Sequence, residues 1–301
     1  MIRYLLSVLF ALILLPLNAP AALRVFSCEP EWAALVAELA GEHAEVTTAT
    51  TAQQDPHYIQ ARPSLIAQMR RADLVVCTGA ELEVGWLPVL MARGGNPKVK
   101  PGTDGYFEAA NYVPMLEVPQ RLDRAEGDIH PRGNPHIQLD PRNIQRIATA
   151  LSERLAKLDP AQVEDYRKRL DDFNQRWQSA LQRWEKQAEP LKGMPIVVHH
   201  KSWVYLNRWL GLKEIGALEP KPGVPPTSGH LAELLETLKV TPAKAVIRAP
   251  FQDARASEWL SKQAPGLVMI EMPYTVGGNA QAKDLFGLFD SSIELLLGAQ
   301  R

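Results

Sequence analysis

The sequence predicts an α/β fold of two lobes with parallel sheets, joined by one long backbone helix. In both halves of the chain, short apolar runs typical of buried strands alternate with amphipathic segments. Between the halves, apolar residues recur at spacings of three and four from Val163 to Ala188, which indicates one uninterrupted helix. Gly193 ends this helix, and a new buried run begins at Pro195. The 301 residues are enough for two lobes of ordinary size.

The first lobe is predicted over residues 23–157. Its predicted elements are a strand at Val25–Cys28, a helix at Trp32–Leu39 ended by Gly41, a strand at Val46–Thr50, a helix starting at Pro63 and a strand at Leu74–Cys77. From residue 93 to 135 the periodicity is poor, so we expect loop with a short strand at Tyr112–Leu116. Asp140 is a good N-cap and Pro141 suits the first turn, which predicts a helix that continues through Leu155.

The linking helix is predicted over residues 158–192, with a start signal at Asp159-Pro160 and Gln162. Its apolar seam contains Phe173 and two tryptophans, which favours packing onto two lobes over a coiled-coil zipper. The second lobe follows over residues 193–301. Its predicted elements are strands at Pro195–His199, Ile215–Leu218, Ala245–Ile247 and Leu267–Ile270, with helices around residues 203–210, 231–238, 258–263 and 285–296.

The first 22 residues read as a signal peptide. Arg3 precedes an apolar run from Tyr4 to Leu17, and small residues follow at Ala19, Ala21 and Ala22. The run is shorter than the roughly 20 residues of a transmembrane helix, although an uncleaved anchor is the alternative. We therefore expect a secreted, periplasmic protein. The formal net charge of -1 gives no electrostatic case for binding nucleic acid.

The chain has only two cysteines, and each closes an apolar strand-like run. Neighbouring parallel strands could place Cys28 and Cys77 together, and an oxidising compartment permits them to pair. The sequence therefore predicts a disulfide, with two buried free thiols as the alternative.

Three of the seven histidines share one physical setting. His57, His136 and His200 each lie just past a strand-like run or on a turn leading to a helix. In open α/β sheets ligands bind at that edge, and neutral imidazole is a common ligand of Zn²⁺. The three together are thus a candidate metal site.

The other histidines fit this site less well. His43 and His230 lie near a helix end and a helix start, where structural roles are common. His199 neighbours His200, but successive strand residues face opposite ways, so only one of the two is expected to reach the site. His130 lies in a predicted mobile loop and is a candidate for transient metal capture.

The residues offer no strong catalytic motif. The sequence lacks the GxSxG, HExxH, Walker A and GxGxxG patterns. A three-histidine zinc with an open position could also serve a hydrolase, but no general base is marked in the sequence.

The chain resembles the periplasmic zinc/manganese-binding proteins of metal ABC transporters over nearly its whole mature length. The matching motifs are Asp55-Pro56-His57, Arg62-Pro63-Ser64, Ala72–Val76 with Gly79 and Glu81–Glu83, Pro135–Pro141, and His200 before Trp203 and Tyr205. The resemblance implies metal ligands at His57, His136 and His200 and delivery of the ion to an inner-membrane ABC permease, without catalysis. Histidine at all three positions favours Zn²⁺ over Mn²⁺. We expect a monomer.

The chain departs from the family pattern at the fourth ligand. Where some members place a carboxylate, this sequence has Tyr274 or Thr275, with Glu271 and Asp284 only nearby. Water is a further candidate. The long histidine-rich loop of many zinc-binding members is also missing, which leaves His130 alone there. An exported zinc-dependent hydrolase and a metal-dependent adhesin that binds Mn²⁺ or Zn²⁺ are the alternative functions.

Overall fold

The structure, a computed structural model, describes residues 22–121, 127 and 130–300. Apart from Ala22, the predicted signal peptide therefore lies outside the described residues. Among the helices within these ranges, none combines the length and the apolar character needed to cross a membrane.

The first lobe is built on a parallel sheet. Its strands are β1 (Leu23–Ser27), β2 (Ala44–Thr48), β3 (Leu74–Cys77) and β4 (Tyr106–Glu108), and its helices are α1 (Pro30–Ala40), α2 (Pro63–Arg71), α3 (Leu87–Gly94) and α4 (Pro141–Leu158). The strand order is β2-β1-β3-β4. Each connection that returns to a parallel neighbour carries a helix or a long loop, as parallel pairing requires.

The predicted strand at Tyr112–Leu116 is wrong. That segment begins in a 3-10 turn, Ala109–Tyr112, and continues without regular structure. The edge strand is β4 instead, which pairs with β3 so that Glu108 lies opposite Cys77. Pro114 has no N–H to donate to a sheet, whereas no proline interrupts β4. The sequence does not predict helix α3, which the structure contains.

The second lobe repeats the plan of the first. Its strands are β5 (Pro195–Val198), β6 (Lys213–Ala217), β7 (Ala245–Arg248) and β8 (Val268–Glu271), and its helices are α6 (Val204–Leu210), α7 (Ser228–Val240), α8 (Arg255–Gln263) and α9 (Leu285–Gln300). The strands are again parallel, in the order β6-β5-β7-β8. The two-lobe α/β architecture is as predicted.

The long helix α5 (Val163–Gln187) packs on both lobes. The indole N–H of Trp177 donates to the carbonyl of Pro141 in the first lobe at 2.8 Å. The indole N–H of Trp184 donates to Asp290 on α9 at 2.6 Å. Both buried indoles thus keep a hydrogen-bond partner while their rings contribute apolar area. One apolar core runs from the first sheet through α5 to the second sheet.

The disulfide between Cys28 and Cys77 is confirmed, with the two Cα atoms 4.8 Å apart. The register of the sheet explains the pairing. Ser27 lies opposite Val76 in the parallel pair of β1 and β3, so the next residue of each strand meets its counterpart. The bond ties together two neighbouring strands at their carboxyl ends.

Candidate metal centre

The structure brings His57, His136 and His200 together, and we call them the three-histidine cluster. One ring nitrogen from each lies within 4.8 Å of one from each of the others. The ring centroids are 5.5, 5.8 and 5.6 Å apart. His57 and His136 come from the first lobe and His200 from the second, so the cluster lies between the lobes.

His57 is fixed by a short turn. The carboxylate of Asp55 accepts hydrogen bonds from the backbone N–H of His57 at 3.0 Å and from its Nδ1 at 2.6 Å. The intervening Pro56 restricts the backbone, and its carbonyl accepts a bond from the buried indole of Trp86 at 2.8 Å. Because the carboxylate accepts from Nδ1–H, the lone pair of the neutral ring is on Nε2.

His200 follows β5 and is held in the same way by Glu219, which follows β6. Its Nδ1 lies 2.6 Å from Glu219 Oε2. Strand register causes this pairing: Val198 lies opposite Ala217, so the residues two positions further along each strand lie side by side. This bond again leaves Nε2 as the ring nitrogen available to a ligand.

His136 precedes a 3-10 turn, Ile137–Leu139, that leads into α4. Its Nδ1 lies 2.6 Å from the hydroxyl oxygen of Tyr274. Burial, followed by the charge of Glu31, raises the pKa of Tyr274 well above its usual value, so the phenol stays protonated. With Nδ1 in contact with the phenol, Nε2 is the nitrogen of His136 left for a metal ion.

The surroundings of His136 favour its uncharged form. His136 is 1% exposed, and burial, followed by the neighbouring histidines, lowers its pKa well below the ordinary value. Burial favours the neutral form of Asp55 too, but the bonds from His57 outweigh it and lower the carboxyl's pKa. Within the described residues, His57 Nε2 is buried without a hydrogen-bond partner. A buried lone pair without a donor is what a bound cation would satisfy.

The remaining histidines separate into three settings. His130 lies beside the cluster, with its ring centroid 5.4 Å from that of His57. Both line an open cleft of about 610 Å³ that leads from solvent to His57. His43 contacts Asp165 at 2.9 Å and His230 contacts the carbonyl of Ala217 at 2.9 Å, both away from the cluster. His199 faces a different cleft.

The fourth-ligand candidates named from the sequence all have other partners. Tyr274 contacts His136, Thr275 donates to Glu31, and Glu271 is paired with the guanidinium of Arg248. Asp284 accepts from the backbone N–H of Gly287 at 2.8 Å in the first turn of α9.

Sequence reasoning did not assign Asp55 or Glu219 to the cluster. The position of Asp55 two residues before His57 is a usable signal, since short carboxylates often bond the backbone two residues on. Glu219 leaves no local signal, because its pairing with His200 depends on the register of β5 and β6.

Comparisons with known proteins agree with this fold. The model of the family described as zinc-uptake complex component A, periplasmic, matches residues 25–298. The chain is 24% identical over 212 residues to the high-affinity zinc uptake system protein ZnuA of Yersinia pestis, an alignment covering 65% of this chain and 65% of that protein. It is also 24% identical over 247 residues to the manganese ABC transporter substrate-binding lipoprotein PsaA of Streptococcus pneumoniae, covering 80% of this chain and 76% of that protein.

A crystal structure of ZnuA matches the fold with a TM-score of 0.74 at 22% identity, covering 91% of this chain and 99% of that chain. The sequence match spans just under two thirds of the Yersinia pestis protein, whereas the family model extends over nearly all of the described residues. The chain therefore belongs to the zinc-uptake complex component A periplasmic family.

Proposed function

We propose that this protein is a periplasmic solute-binding protein that captures Zn²⁺ and delivers it to an inner-membrane ABC permease. The observation that carries the proposal is the three-histidine cluster. Its ring nitrogens lie within 4.8 Å of one another, and each ring has its Nδ1 in a hydrogen-bonding contact of 2.6 Å. The zinc-uptake family to which the chain belongs and the zinc uptake protein it is similar to support the same cargo.

The proposed ligands are the Nε2 atoms of His57, His136 and His200. Two ligand nitrogens of a tetrahedral zinc, each at about 2.0–2.1 Å from the metal, are about 3.4 Å apart. Small side-chain movements would therefore close the cluster on an ion. We propose water as the fourth ligand, because Glu271, Tyr274 and Asp284 each have another partner.

Zinc is the proposed cargo because the three proposed ligands are imidazoles. Manganese sites favour carboxylate and water oxygens, and the nearest carboxylates here, Asp55 and Glu219, accept hydrogen bonds from the rings. A manganese-transport relative makes Mn²⁺ the second candidate for measurement.

We propose that the protein carries out no catalytic step. A hydrolytic zinc needs a general base beside its water. Asp55 Oδ1 accepts two bonds from His57, and Glu219 Oε2 accepts from His200 and from the N–H of Gly223 at 2.9 Å. These contacts support an orienting role for both carboxylates, and we propose that the carrier acts as a monomer.

Calorimetric titration of chelator-treated protein with Zn²⁺ tests the site. We expect the triple variant His57→Ala/His136→Ala/His200→Ala to lose the tight binding event, while His43→Ala, a histidine paired with Asp165 away from the cluster, retains it. Undiminished tight zinc binding in the triple variant would refute the ligand assignment. Elemental analysis of protein taken from its own periplasm identifies the natural cargo.

Delivery needs a separate test in cells. A strain that lacks the protein should grow poorly when zinc is chelated, and the wild-type gene should restore growth while the triple variant should not. Normal growth of the deletion strain under zinc limitation would favour the adhesin alternative.

A further inference from the structure

His199 is adjacent to His200 in the chain but lines a separate cleft in the second lobe. The cleft has a volume of about 600 Å³, and its polar wall includes Glu219, Asp253 and Arg255. The cleft that reaches His57 is bordered by Tyr58 and His130 instead. The chain bends at these two residues, just after β5, and the neighbouring histidines reach two different places.

The imidazole of His199 is buried without a hydrogen bond in the described part of the chain. The residue is 5% exposed, and its Nδ1 has no partner there. Its Nε2 lies 4.0 Å from Glu219 Oε1, which is too far for a direct hydrogen bond. Buried polar rings in native proteins almost always have a partner, so this one calls for a ligand or a bound water.

Glu219 divides its two oxygens between the two histidines. Oε2 accepts from His200 Nδ1 at 2.6 Å and from the N–H of Gly223 at 2.9 Å. Oε1 is directed toward His199, and no described residue donates a hydrogen bond to it. One carboxylate therefore orients a ring of the three-histidine cluster and also directs its other oxygen toward the second cleft.

The gap between His199 and Glu219 suits a divalent cation. Two ligands of a tetrahedral zinc are about 3.4 Å apart, so a gap of 4.0 Å closes with a small rotation of either side chain. Asp253 adds negative charge at the cleft wall, although it is bonded to its neighbour Arg255, with the guanidinium Nε at 2.7 Å and the backbone N–H at 2.9 Å. An imidazole nitrogen with a carboxylate oxygen is a ligand pair typical of zinc.

We propose that His199 and Glu219 form a second, weaker divalent-cation site, linked to the three-histidine cluster through the two oxygens of Glu219. The site is weaker because two protein ligands leave the remaining positions to water. The carboxylate of Asp253 lines the same cleft and could join after breaking its contact with Arg255. The proposal does not require that the three-histidine cluster be the transport site.

Zinc titration in a background that lacks the tight event isolates this site. The double variant His57→Ala/His136→Ala keeps His200 and its bond to Glu219, and we expect it to retain one weak binding event. Adding His199→Gln should abolish that event. In an otherwise wild-type chain, His199→Gln should remove the weak event and leave the tight one. The matched control is His43→Gln, which should change neither.

Glu219→Gln tests the link between the two sites. We expect it to remove the weak event and also to lower the affinity of the tight one by about tenfold or more, because a partner of a ligand ring is altered. His199→Gln should not lower the tight affinity. If Glu219→Gln changes only one of the two binding events, the proposal that Glu219 serves both sites is wrong.

Two outcomes would overturn the second site: a weak event that persists in His199→Gln, or none in the double-variant background. A zinc-soaked crystal gives a readout that needs no variant, with an anomalous peak expected between His199 Nε2 and Glu219 Oε1. No peak there at a zinc concentration that saturates the weak event would also overturn the site. Failure of the tight event in wild-type protein would instead count against the proposed function.

Discussion

At the scale of single residues, three different neighbours hold the three rings of the cluster in the same way, each by contact with Nδ1. Asp55 and Glu219 are carboxylates, and Tyr274 is a buried phenol. For Nε2 of each ring to bind a metal, Nδ1 must carry the proton, and each neighbour offers an oxygen that can accept it. These contacts orient the rings in the absence of an ion, which would lower the ordering cost of binding at the proposed site.

Replacing Asp55 by Asn tests this organisation. Because an amide oxygen accepts more weakly than a carboxylate, we expect zinc affinity to fall by about 10- to 100-fold, with little change in the unfolding midpoint. Calorimetry measures the affinity. Asp165→Asn is the matched control, since Asp165 also contacts a histidine, His43, but lies away from the cluster. Equal affinity in both variants would show that the Asp55 contact is dispensable.

Replacing Tyr274 by Phe separates an orienting phenol from a ligating one. The ring keeps its edge contacts with Trp203 and Phe251, so the fold should be retained. We expect zinc affinity to fall by about tenfold. A ligating tyrosine would release its proton when zinc binds, whereas an orienting tyrosine would keep it. We therefore expect wild type and Tyr274→Phe to release the same number of protons on zinc binding, measured by calorimetry in buffers of different ionisation enthalpy. A smaller release in Tyr274→Phe would identify the phenol as the fourth ligand.

At the scale of helices and strands, the sequence predicts most of the fold because the elements are strongly periodic. Helix α5 has apolar residues, aromatic ones among them, at spacings of three and four, and the strands are apolar runs between turn residues. Strand β4 spans only Tyr106–Glu108 and is defined by its pairing with β3, so its own composition gives no signal. The pairing of His200 with Glu219 could not be predicted for the same reason, because strand register depends on segments that are distant in the chain.

The disulfide between β1 and β3 predicts a measurable loss of stability. Cys28 and Cys77 are 49 residues apart, so the bond restricts a large loop of the unfolded chain. Chain-entropy arguments give about 4 kcal/mol for such a loop. We expect the variant Cys28→Ala/Cys77→Ala to be less stable by roughly this free energy of unfolding, measured with urea. Wild-type protein unfolded under reducing conditions is the control, and its free energy of unfolding should approach that of the variant. A loss below about 1 kcal/mol would mean that the entropic account fails here.

At the scale of the whole molecule, the contact between the two lobes is too extensive for the lobes to move as separate bodies about a hinge. One apolar core includes Trp177 and Trp184 of α5 together with residues of both sheets. Loop contacts add to it, since Thr275 of the second lobe donates a hydrogen bond to Glu31 of α1. Metal capture should therefore involve small local movements around the histidines more than closure of the lobes. The boundaries at residues 157 and 192 remain predictions.

Three buried carboxyl groups, Glu29, Glu31 and Glu83, lie near the carboxyl ends of β1 and β3. Glu29 Oε2 accepts from the hydroxyl of Thr78 at 3.1 Å, and Glu83 Oε1 accepts from the backbone N–H of Thr78 at 2.7 Å. Burial raises the pKa of Glu31 and of Glu83 to about 7. Burial, followed by the charges of its two neighbours, raises the pKa of Glu29 well above its usual value. The folded protein thus holds protons that the unfolded chain releases.

This difference predicts how stability depends on pH. Between the ordinary glutamate pKa of 4.5 and a value of about 7, the folded chain binds more protons at Glu31 than the unfolded chain does, so this residue's contribution to stability falls as pH rises. Glu31→Gln stays neutral and keeps an acceptor for Thr275. We therefore expect this variant to become progressively more stable than wild type from pH 4.5 to 7, and the difference to level off above pH 7. Thermal unfolding of chelator-treated protein across this range measures it. Glu38→Gln, on the same helix as Glu31, removes the carboxylate paired with Arg176 and is the control. Parallel curves for Glu31→Gln and wild type would mean that Glu31 is already ionised in the folded protein at pH 5.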